Sequence, residues 1–321
     1  MLDLPRSARL VAWAAQVGAG APIPPALITA VTGTDEPHTV ALAPEGPSEL
    51  PESRSGAAQG SPAGTFQTPA NDLGTLLGAL RADGFTHFRL VLPVPGDVAG
   101  LPGPASFNAA ALEAGEAVVA HRPGPFPGGP SSAAVAGPGA PFGWGLVPEI
   151  TRFGSALEPG ALVCWSVHPV GEHRVPRFAD LGEAEEQVAL ALREAAAELA
   201  ALDVARWRPE AAERLADLRS GQLPRWALPP GLPGPVVRLI TQALRLRALV
   251  ALAAEDDGGA VDGHGTRRRR ELLRDLDSVC RAAVATALSA AATTVDGAAR
   301  DGSGPSASRP RLRTDQDRAS R

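Results

Sequence analysis

The run Ala161-Leu162-Val163-Cys164-Trp165-Ser166-Val167, followed from Leu181 onward by Val188, Leu192, Ala195, Leu199 and Leu202, decides the fold class. The first segment is a short, continuous apolar run bounded by Pro and Gly, the signature of a strand central in a sheet. After Asp180 the apolar residues recur at alternating four and three spacing, which places them on one seam of a helix over about 181–202. A strand-rich part therefore hands over to a helical part, and the class is α+β.

Working back from residue 161, the pattern predicts about five short strands with intervening helices. Gly145–Ile150, Glu116–Ala120, Phe88–Val94 and His38–Leu42 read as strands, Phe88–Val94 most clearly, with Pro93 and Pro95 ending it. Helices are expected at Ser7–Val17, Pro24–Val31, from Asn71 or Asp72 through Leu80, and at Phe107–Ala114. Working forward, Pro209–Leu218 reads as a shorter helix. Leu239, Ala243, Leu246, Val250 and Ala253 repeat the seam, and Leu273, Leu276, Cys280, Ala283 and Ala287 set out another. Two such helices joined by a short connector make an antiparallel hairpin, so the C-terminal part reads as a helical bundle.

The chain has 321 residues, 44% hydrophobic, with 35 glycines and 32 prolines. That Gly and Pro content exceeds what a packed core uses, and it concentrates in tracts at 44–69 and 122–142, which are expected as disordered insertions. The organisation that follows is an α+β module over 1–176, a helical region over 177–296 and a disordered tail over 297–321.

All 30 basic residues are arginine, and there is no tyrosine. Without lysine there is no phosphate-binding loop ending in Gly-Lys, no Schiff-base chemistry and no kinase strand lysine, because a guanidinium cannot deprotonate to replace them. A GC-rich genome produces the same bias without selection on function. Two distant cysteines, Cys164 and Cys280, give neither a disulfide scaffold nor paired zinc-ligand spacing. The N-terminus lacks the basic region of a signal peptide, and no run reaches the ~20 apolar residues that span a bilayer. A cytoplasmic location, no membrane association, no cofactor and no metal are the expectations.

Four residues are candidates for a catalytic site at the sheet edge. Asp97 follows the clearest strand within Pro93-Val94-Pro95-Gly96-Asp97, where it also fits a rigid turn bonding its own backbone. His168, Glu172 and His173 follow the last strand, where two imidazoles beside a carboxylate could move protons or bind a metal. Arg267, Arg268, Arg269 and Arg270 form a second candidate, an anion or nucleic-acid contact. Against nucleic acid, residues 181–321 carry 21 arginines and 20 acids, a nearly neutral footprint. Arg238, Arg245 and Arg247 stand in an otherwise apolar helix and call for carboxylates, which Glu185, Glu186, Glu194 and Glu198 can supply.

The reading favoured by these residues is a non-catalytic protein acting through contacts with a protein partner or a small ligand. A hydrolase-like or metal-assisted enzyme is the first alternative, and anion or nucleic-acid binding through the arginine cluster the second.

Overall fold

A computed structural model of the chain describes residues 2–17, 21–43, 72–98, 100–122, 142–155, 157–171, 177–202, 209–255 and 263–301. The tract 44–69, all of 122–142 except its two end residues, Glu172, His173 and residues 302–321 lie outside the described residues.

Helices α1 (Arg6–Ala14) and α2 (Pro25–Thr32) precede strand β1 (Thr39–Leu42). Helix α3 (Leu73–Ala82), β2 (His87–Val91), α4 (Ala105–Ala114) and β3 (Ala117–His121) follow, then β4 (Gly143–Gly154) and β5 (Pro159–Val170). The C-terminal part is α5 (Leu181–Ala201), α6 (Pro209–Ser220), α7 (Gly234–Ala254) and α8 (Gly263–Asp301). The five strands form one sheet in the order β1-β5-β4-β3-β2, parallel between β1 and β5 and antiparallel elsewhere. The α+β class read from the sequence is the class observed.

Local chemistry fixes the helix starts. Asp72 caps α3 by accepting from Thr75 N at 3.0 Å. Asp180 accepts from Glu183 N at 2.9 Å, while the Glu183 carboxylate accepts from Ala179 N, one residue before the cap, at 2.7 Å, a variant of the capping box that gives α5 a sharp beginning.

Strand alternation divides the sheet into two faces. Leu90, Val118, Leu146, Trp165 and Val167 point to one, where they join α1, α5, α7 and α8 in a single apolar core reaching from Leu4 to Ala291. The C-terminal helices thus share the core of the sheet, with α8 lying against β2 and α1. Val91, Val119, Val147 and Val170 point to the other face, where among the described residues α4 covers them through Phe107 and Ala111, with Leu101 just ahead of it. That helix approaches closely because residue 145 is glycine; a Cβ there would stand 2.3 Å from the Phe107 ring.

Strands β4 and β5 each run for 12 residues, about twice the length that their apolar segments predict. Beyond Ile150 the two continue as a largely exposed ribbon in which even Phe153 and Leu162 face solvent, and backbone pairing such as Arg152 with Ala161 makes them strands.

Candidate functional site

Strand β2 ends as Pro93 and Pro95 withdraw N–H donors from the ladder. The chain then turns at Val94–Asp97, where Val94 N donates to Asp97 O (3.1 Å) and Asp97 N to Val94 O (2.9 Å). Pro95 presets φ and Gly96 adopts φ 89°, the pairing that a type II turn requires. The turn therefore forms as expected, but it aims the Asp97 carboxylate at α8, where that group accepts from Ser278 Oγ and Arg281 Nη2, each at 2.7 Å.

Arg281, only 7% exposed, is the hub of this junction. It donates from Nη1 to Leu92 O at 2.6 Å and from Nε to Asp277 at 2.7 Å. Asp277 in turn accepts from Arg247 Nε of α7 at 2.9 Å. Arg177, ahead of α5, donates to Ser278 Oγ at 2.8 Å. Strand, turn and helices are thus joined by alternating charges, each stabilised by the next at short range. The partner of Arg247 is Asp277, not a carboxylate of α5. Arg245 donates instead to Gly221 O at 3.0 Å, and Glu198 is occupied by Arg268.

Above this junction lies a groove of about 1460 Å³ between the Val94–Asp97 turn, the end of α7 and the first five turns of α8. Helix α8 begins at Gly263, so the four arginines lie just inside it and the helix divides them between its faces. Arg268 turns to Glu198 and Glu271. Arg269 is buried and donates to Ala253 O at the end of α7, where helix carbonyls favour a cation. Arg267 and Arg270 are exposed and line the groove, as does Arg274 one turn further along. Among the described acids of the groove, Asp97 and Asp277 are held by Arg281 and Arg247, Glu255 by Arg214 through two bonds of 2.6 Å and Glu271 by Arg268, while Asp275 is exposed beside Arg274.

Asp97 and His168 are not brought together. Asp97 lies against α8 on the core side of the sheet, whereas His168 shares the opposite face with Phe107, whose ring meets it edge-on at 5.8 Å. His168 is buried and bonds Ser166 Oγ at 3.2 Å through Nε2. Burial holds its pKa below the usual imidazole value, partly opposed by Glu149. Glu172 and His173 lie outside the described residues. Cys280 is fully buried, and desolvation pushes its pKa up to about 12, so it carries no thiolate chemistry. Among the described residues no group of three or more His, Cys, Asp or Glu is gathered to hold a metal, and no helix is long and apolar enough to cross a membrane.

A second polar cluster, which sequence reading missed, is buried near the N-terminus. Arg6 grips Asp35 through bonds of 2.6 and 2.7 Å, His38 Nε2 lies 3.2 Å from the same carboxylate, and Trp165 Nε1 donates to His38 Nδ1 at 3.1 Å. Because the indole can only donate, His38 Nδ1 is the acceptor and Nε2 carries the proton toward Asp35. Burial opposes ionisation of Asp35, but the Arg6 bonds outweigh it and hold the carboxyl below its usual pKa. For His38 burial wins and depresses the pKa. Close by, Glu116 accepts from Ser7 N at 2.7 Å at the start of α1, and its burial raises its pKa against the opposing pull of that bond, Arg6 and Arg9. The Asp35-x-x-His38 spacing was the only sequence signal for this cluster.

Fold and site together define an α+β protein with a helix-buttressed mixed sheet and a charged surface groove. The chain belongs to the Rv1486c-like protein family: the family's N-terminal domain matches residues 7–181 and its C-terminal domain residues 182–285. It is similar to "Uncharacterized protein Rv1486c" of Mycobacterium tuberculosis (strain ATCC 25618 / H37Rv), with 31% identity over 210 residues, covering 63% of this chain and 69% of the relative. "Uncharacterized protein MT1533" of the CDC 1551 / Oshkosh strain matches with the same identity and coverage. No solved structure matches the chain.

Proposed function

We propose that this is a non-catalytic binding protein whose working surface is the groove along α8, and that the groove takes an extended acidic segment of a partner protein. The observation that carries the reading is the sorting of charge in the groove. Asp97, Asp277 and Glu255 are engaged by Arg281, Arg247 and Arg214, and Glu271 by Arg268, while Arg267 and Arg274 are exposed along one stripe of α8 with Asp275 as the exposed acid beside them. Size supports a peptide over a small molecule, since pockets for the latter hold roughly 300–1,000 Å³. Spacing supports an extended chain: Arg270 and Arg274 are about 6 Å apart along the helix, close to the ~6.6 Å between alternate side chains of a strand.

On this reading residues 1–176 supply the turn that floors the groove and 177–296 the helices that wall it. A cytoplasmic location accords with the two free thiols of Cys164 and Cys280. The enzyme alternative built on Asp97, His168, Glu172 and His173 has less support, because Asp97 is held by Arg281 and Ser278 and His168 is packed beneath Phe107.

Fluorescence anisotropy with a labelled oligoglutamate peptide tests the proposal. Binding should weaken with added salt, and Arg267→Glu/Arg274→Glu should weaken it by about tenfold, equivalent to ~1.4 kcal/mol. Undiminished binding by that variant, or tighter binding of a single-stranded oligonucleotide of equal charge, would overturn it.

A further inference from the structure

Strand β4 outruns one of its neighbours: β3 pairs with it from Gly143 to Leu146, whereas β5 accompanies it as far as Gly154. The direction of each backbone group along the remaining edge follows from β5. Ala161 O accepts from Glu36 N, Val163 O from Thr39 Oγ1 and Val167 O from Ala43 N, so these residues direct their backbone groups away from β4. Their partners in the antiparallel register, Arg152, Ile150 and Leu146, must then direct N–H and C=O away from β5. Pro148, in the same phase, agrees, because a proline fits a strand where the ladder needs no donor. Leu146 meets β3. Ile150 and Arg152 lie beyond it, and among the described residues no group bonds their outward N–H and C=O.

The same edge carries exposed apolar side chains. Phe153, whose ring lies across Gly160, and Leu162 are diagonal neighbours on one face of the ribbon, and Leu157 stands exposed in the turn between the strands. An exposed strand edge with open backbone groups and apolar side chains is a template for another strand.

We propose that two copies of this chain pair edge to edge along β4, antiparallel about a two-fold axis at Thr151. Rotation about that axis sets Ile150 of each copy opposite Arg152 of the other, so the outward N–H and C=O groups of these residues meet their complements and none of them is left over. Charge and proline fix the axis. Moved to Arg152, it would set two guanidinium groups face to face; moved to Ile150, it would require an N–H from Pro148. At Thr151 the charged residues of the edge, Glu149 and Arg152, oppose Phe153 and Ile150 of the other copy, and each Phe153 lies diagonal to the other copy's Thr151. The contact is small, so the dimer is weak and depends on concentration. It uses none of the groove's residues, so either proposal can fail without the other.

Sedimentation velocity of the full chain from micromolar to millimolar concentration tests the pairing, together with oxidative cross-linking. The unmodified chain should shift from monomer to dimer as concentration rises. Arg152→Pro should weaken that dimer by at least about tenfold, since each copy loses a donor while the β4–β5 ladder, which does not use this N–H, stays intact. Thr151→Cys, in a chain also carrying Cys164→Ser, should cross-link to its own counterpart under mild oxidation, because a directly opposed pair of this kind brings its Cα atoms to about 4.5 Å. Arg152→Cys in the same background should not, since the axis leaves the two copies of that residue diagonal. A monomer throughout the range, a dimer undiminished by Arg152→Pro, or equal cross-linking at residues 151 and 152 would overturn the proposal; the cross-link reads the pairing even if Arg152→Pro fails to fold.

Discussion

Among the described residues, the networks of alternating charge around Asp35 and around Arg281 differ in what they border. Around Asp35, the chain Arg6–Asp35–His38–Trp165 closes on itself: His38 is buried, its two ring nitrogens face a carboxylate and an indole, and the exposures of Arg6 and Asp35 in their pair are 13% and 8%. Around Arg281, the chain Arg247–Asp277–Arg281–Asp97 is also short-bonded, but it floors an open groove with Arg267, Arg270 and Arg274 along its wall. A closed network can only specify a fold, whereas one that borders a groove places charge at a surface, which is where the proposed reading puts a partner. On the proposed reading, that contrast separates the polarity that holds the fold from the polarity that meets a partner.

The largest expected effect is on the closed side. Trp165→Ala should cost about 3–5 kcal/mol in urea denaturation, as a fully buried aromatic is removed and a cavity left behind. Trp165→Phe keeps most of the volume but leaves His38 Nδ1 without its donor, and should cost about 1–3 kcal/mol. If the two variants were equal, the indole hydrogen bond would dominate the packing. On the open side, Arg281→Met should cost about 3 kcal/mol or less, at the low end for a broken buried pair because Asp97 and Asp277 retain 28% and 21% exposure.

A smaller, pH-dependent effect distinguishes groups within the closed region. The folded pKa of Glu116 lies above the usual 4.5, so its contribution is complete below pH 4.5 and is lost as pH rises through the raised value. His38 behaves oppositely: its folded pKa lies below 6.5, so the neutral ring's contribution is present above 6.5 and lost as pH falls through the depressed value. Glu116→Gln should keep the Ser7 contact and remove the decline on the rising-pH side, read from denaturation midpoints across that range. The smallest stability effect belongs to the groove wall. Arg274→Glu should change stability by no more than about 0.5 kcal/mol, since the residue is exposed, while still weakening acidic-peptide binding.

Much of this fold is legible in local sequence. Asp180 with Glu183 announces the start of α5, the Leu239–Ala253 seam announces α7, and the apolar run at 161–167 announces the centre of β5, because each signal is contained within a few turns or one strand. What escapes is contained in pairings. The outer halves of β4 and β5 are strands only because each faces the other. Arg6 meets Asp35 across 29 residues, and Trp165 meets His38 across 127, with no periodicity to mark either. Of the candidate site residues, Asp97 and the arginine run were legible as polar features at element ends, yet their convergence on one groove depends on α8 crossing β2.

The central claim, that the α8 groove is charged for an acidic segment, is tested most directly by inverting it. Binding of oligoglutamate and oligoarginine peptides should be compared between the natural chain and Arg267→Glu/Arg274→Glu by anisotropy at low salt. A preference for oligoglutamate that reverses to oligoarginine in the variant is the predicted result. The same preference in both chains would contradict the account, since the groove's arginines would then not be what the partner meets.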